Sequence, residues 1–288
     1  MKPTIDIVIP HYNGLSLLQK HLPRVIVNSP EVQTIIVVDN ASNDGSDTYL
    51  QKFSKVRVIH NQTNLGFTMA INQGVKSSDA DFIVLINNDV SPQSGYIKKT
   101  LPFFEDSTVF AVNFNETNSS WPKVWWSEGK LQYERGSQKE KSLYSLWASG
   151  GSAIYRKTIW DKLSGFNEIY SPGYWEDIDL GWRAWRAGYK IIWQPEGQVI
   201  HEHESSFRKL NTDYVNALRQ RNELLFIWQN ITEKSKVTGH RKFLLTYTLK
   251  HPGYIKIIFS ALAQSSRMIS PTNGLSDSQI LQAVNNPL

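Results

Sequence analysis

In its first ninety residues the chain alternates strand-like and helix-like segments, and every strand-like run ends in polar residues. That alternation confines it to a layered α/β fold. Residues 5–10 (IDIVIP) form a short apolar run stopped by proline. Thr34–Asp39 (TIIVVD) is β-branched and too apolar for an exposed strand, and residues 56–61 and 81–86 (DFIVLI) repeat the pattern. Between them, residues 14–28 and Phe67–Lys76 carry apolar side chains at helical spacing, and residues 40–46 read as a turn entering a short helix. The pattern predicts a mostly parallel central sheet flanked by helices, with right-handed crossovers. Ligands in such sheets bind beyond the carboxyl ends of the strands. Here those ends are Pro10-His11-Tyr12-Asn13, Asp39-Asn40, residues 61–66 with Asn64 and Gly66, and Asn87-Asn88-Asp89.

Beyond Pro92 the spacing predicts a helix over residues 96–104, a strand over 109–114 and a mobile, Trp-bearing loop over 116–145. Order is expected to return at residues 147–156, followed by helices over 157–163 and 176–188. Strands are expected at 190–194 and 198–201, with a helix over 213–229. An amphipathic basic segment spans 243–263, and the last twenty residues read as frayed.

The 288 residues contain no cysteine, which removes disulfides, thiolate metal sites and cysteine nucleophiles together. Any metal must be held by carboxylate, amide or imidazole. The net charge of +5 is uneven. Residues 234–276 hold seven Lys or Arg and no acid, so the remainder carries 24 bases against 26 acids, about −2. Such a segment attracts anionic partners. The start of the chain lacks a signal-peptide pattern, and no window reaches the roughly 20 apolar residues of a membrane span. A cytoplasmic location is therefore expected, with possible peripheral contact to the membrane.

Four groups of residues suggest chemistry. Asp39, ending a buried strand, suits a base or ribose, although Asp44-Gly45 beside it also reads as ordinary turn chemistry. Asn87-Asn88-Asp89 supplies one carboxylate with flanking amides, part of an oxygen site for a hard cation, or else a strand-ending Asx turn. Glu176, Asp177 and Asp179 crowd a helix start after the aromatic run Tyr170-Ser171-Pro172-Gly173-Tyr174-Trp175. A carboxylate in an aromatic pocket has its pKa raised towards the range of a general base, while a capping cluster would explain one or two of the three. His201 and His203 alternate along a strand end and share a face, as metal ligands or as a surface pair. The paired Gly150-Gly151 permits close backbone approach to a ligand, or makes a turn. Arg208, Lys209, Arg219 and Arg221 are candidates for diphosphate oxygens.

In order, IVIPHYN, VVDNASNDGS, NLGFTMAINQG, INND, GGSAIYR, WEDIDLGWR, VIHEH and RQRNELLFIWQN resemble the family 2 glycosyltransferases of GT-A fold, from about residue 5 to about residue 230. The resemblance implies a GT-A domain over 1–233, with a nucleotide-sugar half over 1–115 and an acceptor half over 116–233. Residues 234–288 would then be a basic, amphipathic helical extension. It implies that Pro10, Tyr12 and Asp39 frame the nucleobase and ribose, with Asn13, Asn64, Gly66 and Asn88 in the donor-binding set. Gly150 and Gly151 would lie against donor sugar and acceptor. Asp89 and His201 would hold a divalent metal (Mg²⁺ or Mn²⁺) on the donor diphosphate, with Arg208 as a further diphosphate contact. Asp177 would be the general base and Glu176 would orient acceptor or base, with inversion at the anomeric carbon. One departure weakens the metal motif: Asn87 stands where the first acid usually lies.

The spacing resembles rhamnosyltransferase-like members, which implies dTDP-rhamnose or a UDP-hexose as donor. The acceptor would be a saccharide or a lipid-linked species of cell-surface polysaccharide synthesis, with no nucleic acid as partner. Two rivals remain at this stage. A sugar-nucleotidyltransferase would want a glycine-rich basic loop after the first strand, where HYNGLSLLQK has one glycine. A non-catalytic carbohydrate-binding module would have no use for Asp89, Asp177 and His201 together.

Overall fold

The computed structural model describes residues 2–116, 122–136, 140–202, 211–271 and 273–288. Its first half follows the expected alternation: β1 (Ile5–His11), α1 (Leu15–Asn28), β2 (Thr34–Asp39), α2 (Ser46–Leu50), β3 (Val56–His60), α3 (Phe67–Lys76) and β4 (Phe82–Ile86). These four strands are parallel neighbours in the order β3-β2-β1-β4. The sheet continues through β10 (Ser152–Arg156), β6 (Val109–Glu116), β11 (Lys190–His201) and β5 (Val90–Pro92), with β9 (Leu143–Tyr144) also on β11. β10 runs antiparallel to both β4 and β6, whereas β11 is parallel to β6.

The parallel strands read as unbroken apolar runs because both faces are covered. Val8, Ile36, Val38, Ile83 and Leu85 enter one core, while the alternating Ile7, Ile9, Ile35, Val37 and Val84 enter another. Gly74 of α3 lets the helix approach closely, since a Cβ there would stand 2.4 Å from a Val8 methyl.

The middle of the chain departs from expectation. Residues 94–100 are turns, followed by a 3₁₀ segment, Leu101–Glu105, in place of a helix. Gly95 has φ +75°, and Pro102 lacks the N–H that a helix would use. The expected loop over 116–145 contains a hairpin, β7 (Pro122–Ser127) and β8 (Lys130–Arg135). Its turn places Glu128 and Gly129 at positive φ. Gly129 is also pressed on residues 239 and 240, where a Cβ would meet the Gly239 carbonyl at 2.6 Å.

The two strands expected over 190–201 are one strand whose register slips between Trp193 and Gln198. α4 (Lys157–Lys162), α5 (Glu176–Arg186) and α6 (Thr212–Asn230) match expectation closely. The basic segment is two helices, α7 (Lys234–Lys250) and α8 (Ile255–Leu262), parted at Pro252-Gly253. The end is not frayed. α9 (Asp277–Asn285) starts with a Ser276/Gln279 capping box and buries Asp277, Ile280 and Val284. Asp277 meets Arg186 of α5 in a buried ion pair at 2.5 Å.

Candidate active site

Parallel pairing brings the polar ends of β1, β2 and β4 to one edge of the sheet. At β1, Asn13 takes φ +45°, receives the Asn43 N–H on its Oδ1 at 2.9 Å, and donates its own N–H to Ser42 Oγ at 2.9 Å. Asn13 therefore shapes the 40–46 turn. Asp39 is buried, accepts the Ser42 N–H at 3.2 Å, and lies 3.6 Å from His60 Nδ1. Pro10 and Tyr12 flank His11 on the same edge, both half-buried. Asn88 Nδ2 contacts His11 Nδ1 at 3.1 Å, which ties the end of β4 to the end of β1.

Asn64 accepts the Gly66 N–H at 2.9 Å. Gly66 has φ +83°, and a Cβ on it would stand 2.8 Å from Pro172. Phe67 N–H donates to the Pro172 carbonyl at 2.8 Å, joining the loop after β3 to the segment that leads into Glu176 and Asp177. Asn87, where a first acid was looked for, packs instead on Gly151, whose added Cβ would meet its side chain at 2.3 Å. A Cβ on Gly150 would touch Phe67 at 3.0 Å.

Asp89, His201 and Glu116 converge at the ends of β4, β11 and β6. His201 Nε2 is 3.1 Å from Asp89, and Nδ1 is 3.2 Å from Glu116. Burial alone would lower the His201 pKa, but hydrogen bonds to Asp89 and Glu116 outweigh it and raise the value to about 9. Glu116 also accepts the Ser152 hydroxyl at 2.5 Å. Sequence reading missed Glu116, because the strand was expected to stop at residue 114 and no motif surrounds it. His203, Arg208 and Lys209 lie outside the described residues.

Glu176 and Asp177 open α5 behind Tyr174 and Trp175, both at positive φ. They line a cavity of about 480 Å³ with Tyr133, Trp147, Tyr174 and Arg219. Burial pushes Asp177 up to about 6, against backbone N–H bonds from Ile178 and Gly150 that favour its charge. Burial and the neighbouring Asp177 push Glu176 well above the usual carboxylate range. The two titrate as a pair, one proton held at the expense of the other.

The third acid, Asp179, is the brace. Wholly buried, it accepts hydrogen bonds from Tyr170 Oη at 3.0 Å, Arg183 Nε at 2.7 Å, Gln229 at 2.9 Å and Asn230 at 2.8 Å. Asn222 of α6 donates through Nδ2 to the carbonyls of Tyr170, Gly173 and Tyr174 at 2.8–3.0 Å. Arg221 reaches the Ser171 carbonyl at 2.9 Å, and Arg219 stacks over Tyr174 at 4.3 Å. Arg219 thus lines the cavity, while Arg221 holds the loop.

The sheet order and the polar strand ends are those of a GT-A glycosyltransferase, and comparison with known proteins agrees. The Glycosyl transferase family 2 profile matches residues 6–164, so the chain belongs to that family. Among curated relatives, the pre-mycofactocin glycosyltransferase of Mycobacterium tuberculosis is 26% identical over 212 residues, 71% of this chain and 44% of that protein. The chain thus spans less than half the length of this relative. The N-acetylglucosaminyl-diphospho-decaprenol L-rhamnosyltransferase of the same organism is 24% identical over 244 residues, 72% of this chain and 78% of that one. The fold resembles a mannosyltransferase from Pyrobaculum calidifontis solved with GDP-Man and Mn²⁺. The TM-score is 0.60 at 16% identity, covering 91% of this chain and 76% of that one.

Proposed function

We propose that the protein is an inverting glycosyltransferase that moves a sugar from a nucleotide-diphosphate sugar to a hydroxyl of a saccharide or lipid-linked acceptor. The donor is dTDP-rhamnose or a UDP-hexose, and the pathway is cell-surface polysaccharide synthesis. The rhamnosyltransferase relative supports the donor class, since its name joins rhamnose to a lipid diphosphate acceptor. The protein works in the cytoplasm, with peripheral contact to the membrane through residues 234–288. The observation that carries the catalytic reading is Asp177, raised to about 6 in an aromatic cavity beside Gly150.

Asp177 takes the proton of the acceptor hydroxyl as that oxygen attacks the anomeric carbon. The bond to the leaving diphosphate breaks with its electron pair, and the configuration inverts without a covalent enzyme intermediate. Glu176, whose carboxyl burial and the neighbouring Asp177 push up, orients the acceptor beside it. Asp39, with Pro10 and Tyr12, frames the base and ribose, and Asn13, Asn64, Gly66 and Asn88 shape the walls around them. Gly150 and Gly151 let the donor sugar approach the backbone.

Asp89 and His201 would hold the divalent cation. A buried carboxylate and an imidazole at one strand edge are donors that suit Mn²⁺ or Mg²⁺. Among the described residues no three His, Asp or Glu side chains are arranged to hold a metal ion, so diphosphate oxygens would complete the set. When bound, the ion neutralises charge growing on the diphosphate.

Thermal shift and transfer assays together test these roles. Asp177→Asn should keep the stabilisation given by nucleotide-sugar with Mn²⁺ and lose transfer by about 10³-fold or more. Asp89→Ala should lose the Mn²⁺-dependent part of that stabilisation. Near-normal turnover by Asp177→Asn would refute the base, and metal-independent donor binding by the parent protein would refute the metal.

A further inference from the structure

Six of the seven cations in the acid-free segment lie on α7 and α8, and these two helices are two-sided. Inward, His240 is buried between the Gly129 carbonyl at 2.8 Å and Trp228 Nε1 at 3.1 Å, and Tyr254 and Ala261 are buried against the fold. Outward, Leu245 and Leu249 are 63% and 74% exposed, and Phe259 is 64% exposed between Ile255 and Leu262. Leu245 and Leu249 stand four residues apart, and Ile255, Phe259 and Leu262 at helical spacing, so each helix carries an outward apolar stripe. Arg241, Lys242, Lys250 and Lys256 are exposed among them. A hydrated helix face does not need large apolar side chains, and a core-packing face does not show them to water.

We propose that this face of α7–α8 docks on an anionic lipid bilayer. The apolar stripes enter the headgroup boundary while the cations meet lipid phosphates, and the absence of carboxylates removes the repulsion that would oppose it. A second copy of the chain is a poor occupant, since two such faces would bring four exposed cations against four. Nucleic acid has no use for the stripes.

The position of the face also names the acceptor class, an extension that rests on the glycosyltransferase reading. Lys130 lines the cavity of Asp177, pairs with Glu223 at 3.0 Å, and sits 5.2 Å from the Phe243 ring centre of α7. Phe243, Tyr247 and Tyr254 then form successive ring contacts at 5.1 and 4.9 Å, ending where α8 begins. The docking face thus starts a few side chains from the acceptor cavity. A lipid-linked acceptor, anchored in the leaflet by its chain, would present its saccharide there.

Co-sedimentation with vesicles, without donor or acceptor, tests the docking. The protein should pellet with vesicles of equal parts phosphatidylcholine and phosphatidylglycerol and remain in solution with phosphatidylcholine alone. Leu249→Glu with Phe259→Glu should weaken that partition at least about tenfold, while the thermal shift given by nucleotide-sugar stays that of the parent. The proposal is overturned if the parent does not pellet with anionic vesicles, or if the double variant pellets equally well. A dimer in sedimentation velocity that the double variant dissociates, without vesicle binding, assigns the face to a second copy and also overturns it. Transfer to a soluble saccharide is assayed separately. Its loss in the parent would sink the catalytic reading and leave the docking result standing.

Discussion

Asp177 is the residue where sequence, burial and chemistry meet most directly. Its pKa of about 6 is held up by burial against the pull of a helix start and three backbone N–H groups, its own and those of Ile178 and Gly150. As a general base it must be ionised, so kcat/KM should fall on the acid side with a limb near pH 6. The same shift bears on stability. The folded protein binds this proton more tightly than the unfolded chain, so stability falls as pH rises from about 4 through about 6 and the full cost is present above that. Asp177→Asn should therefore melt higher than the parent at pH 8, by the equivalent of about 1–3 kcal/mol. The gap should close as pH falls below 6. Equal melting temperatures at pH 8 would show that the carboxylate is not desolvated. At this scale much was legible: an acid after an aromatic run at a helix start suggested a raised pKa. Glu116 was not, since nothing around it in the chain marks it and only the pairing of β6 with β11 brings it to His201.

At the scale of elements, α6 positions the loop that leads into Asp177. Asn222 is wholly buried and holds three carbonyls of residues 170–174, while Gln229 and Asn230 on the same helix hold Asp179. Asn222→Asp keeps the volume and loses both N–H donors. It should lower kcat by at least about tenfold with donor KM little changed, at a stability cost of about 1–3 kcal/mol. A purely structural role would leave the acid limb of the pH profile in place. Release of the loop should move that limb towards the ordinary carboxylate range by hydrating Asp177. The run RQRNELLFIWQN was readable as a helix, but nothing along it marked its amides as buried. They point inward because Asp179 and the loop carbonyls supply partners distant in sequence. The hairpin β7–β8 was missed for a related reason. The adjacent Trp125 and Trp126 break the strand alternation, and its buried Val124 packs towards α9, whose Asn285 bonds the Val124 carbonyl at 2.9 Å.

Across the whole molecule, the C-terminal residues close onto α5, the helix that Glu176 and Asp177 open. Asp277 pairs with Arg186 and also accepts the N–H groups of Thr232 and Glu233 at 2.8 Å each. Asp277→Ala strands a buried guanidinium and should cost about 3–5 kcal/mol, a fall of roughly 10 °C in Tm. A change within a degree in thermal denaturation would mean that α9 is a detachable appendage. What the sequence alone determined is what depends on neighbours along the chain: the alternation of strand and helix, the polar strand ends and the acids after an aromatic run. Each of these follows from periodicity, turn chemistry or local burial. Only the tertiary structure decided which acid faces the cavity and which braces it, how Glu116 joins Asp89 and His201, and which side of α7–α8 stays bare. Those outcomes depend on contacts between segments far apart in the chain, where the low dielectric of a packed interior sets pKa and partnership.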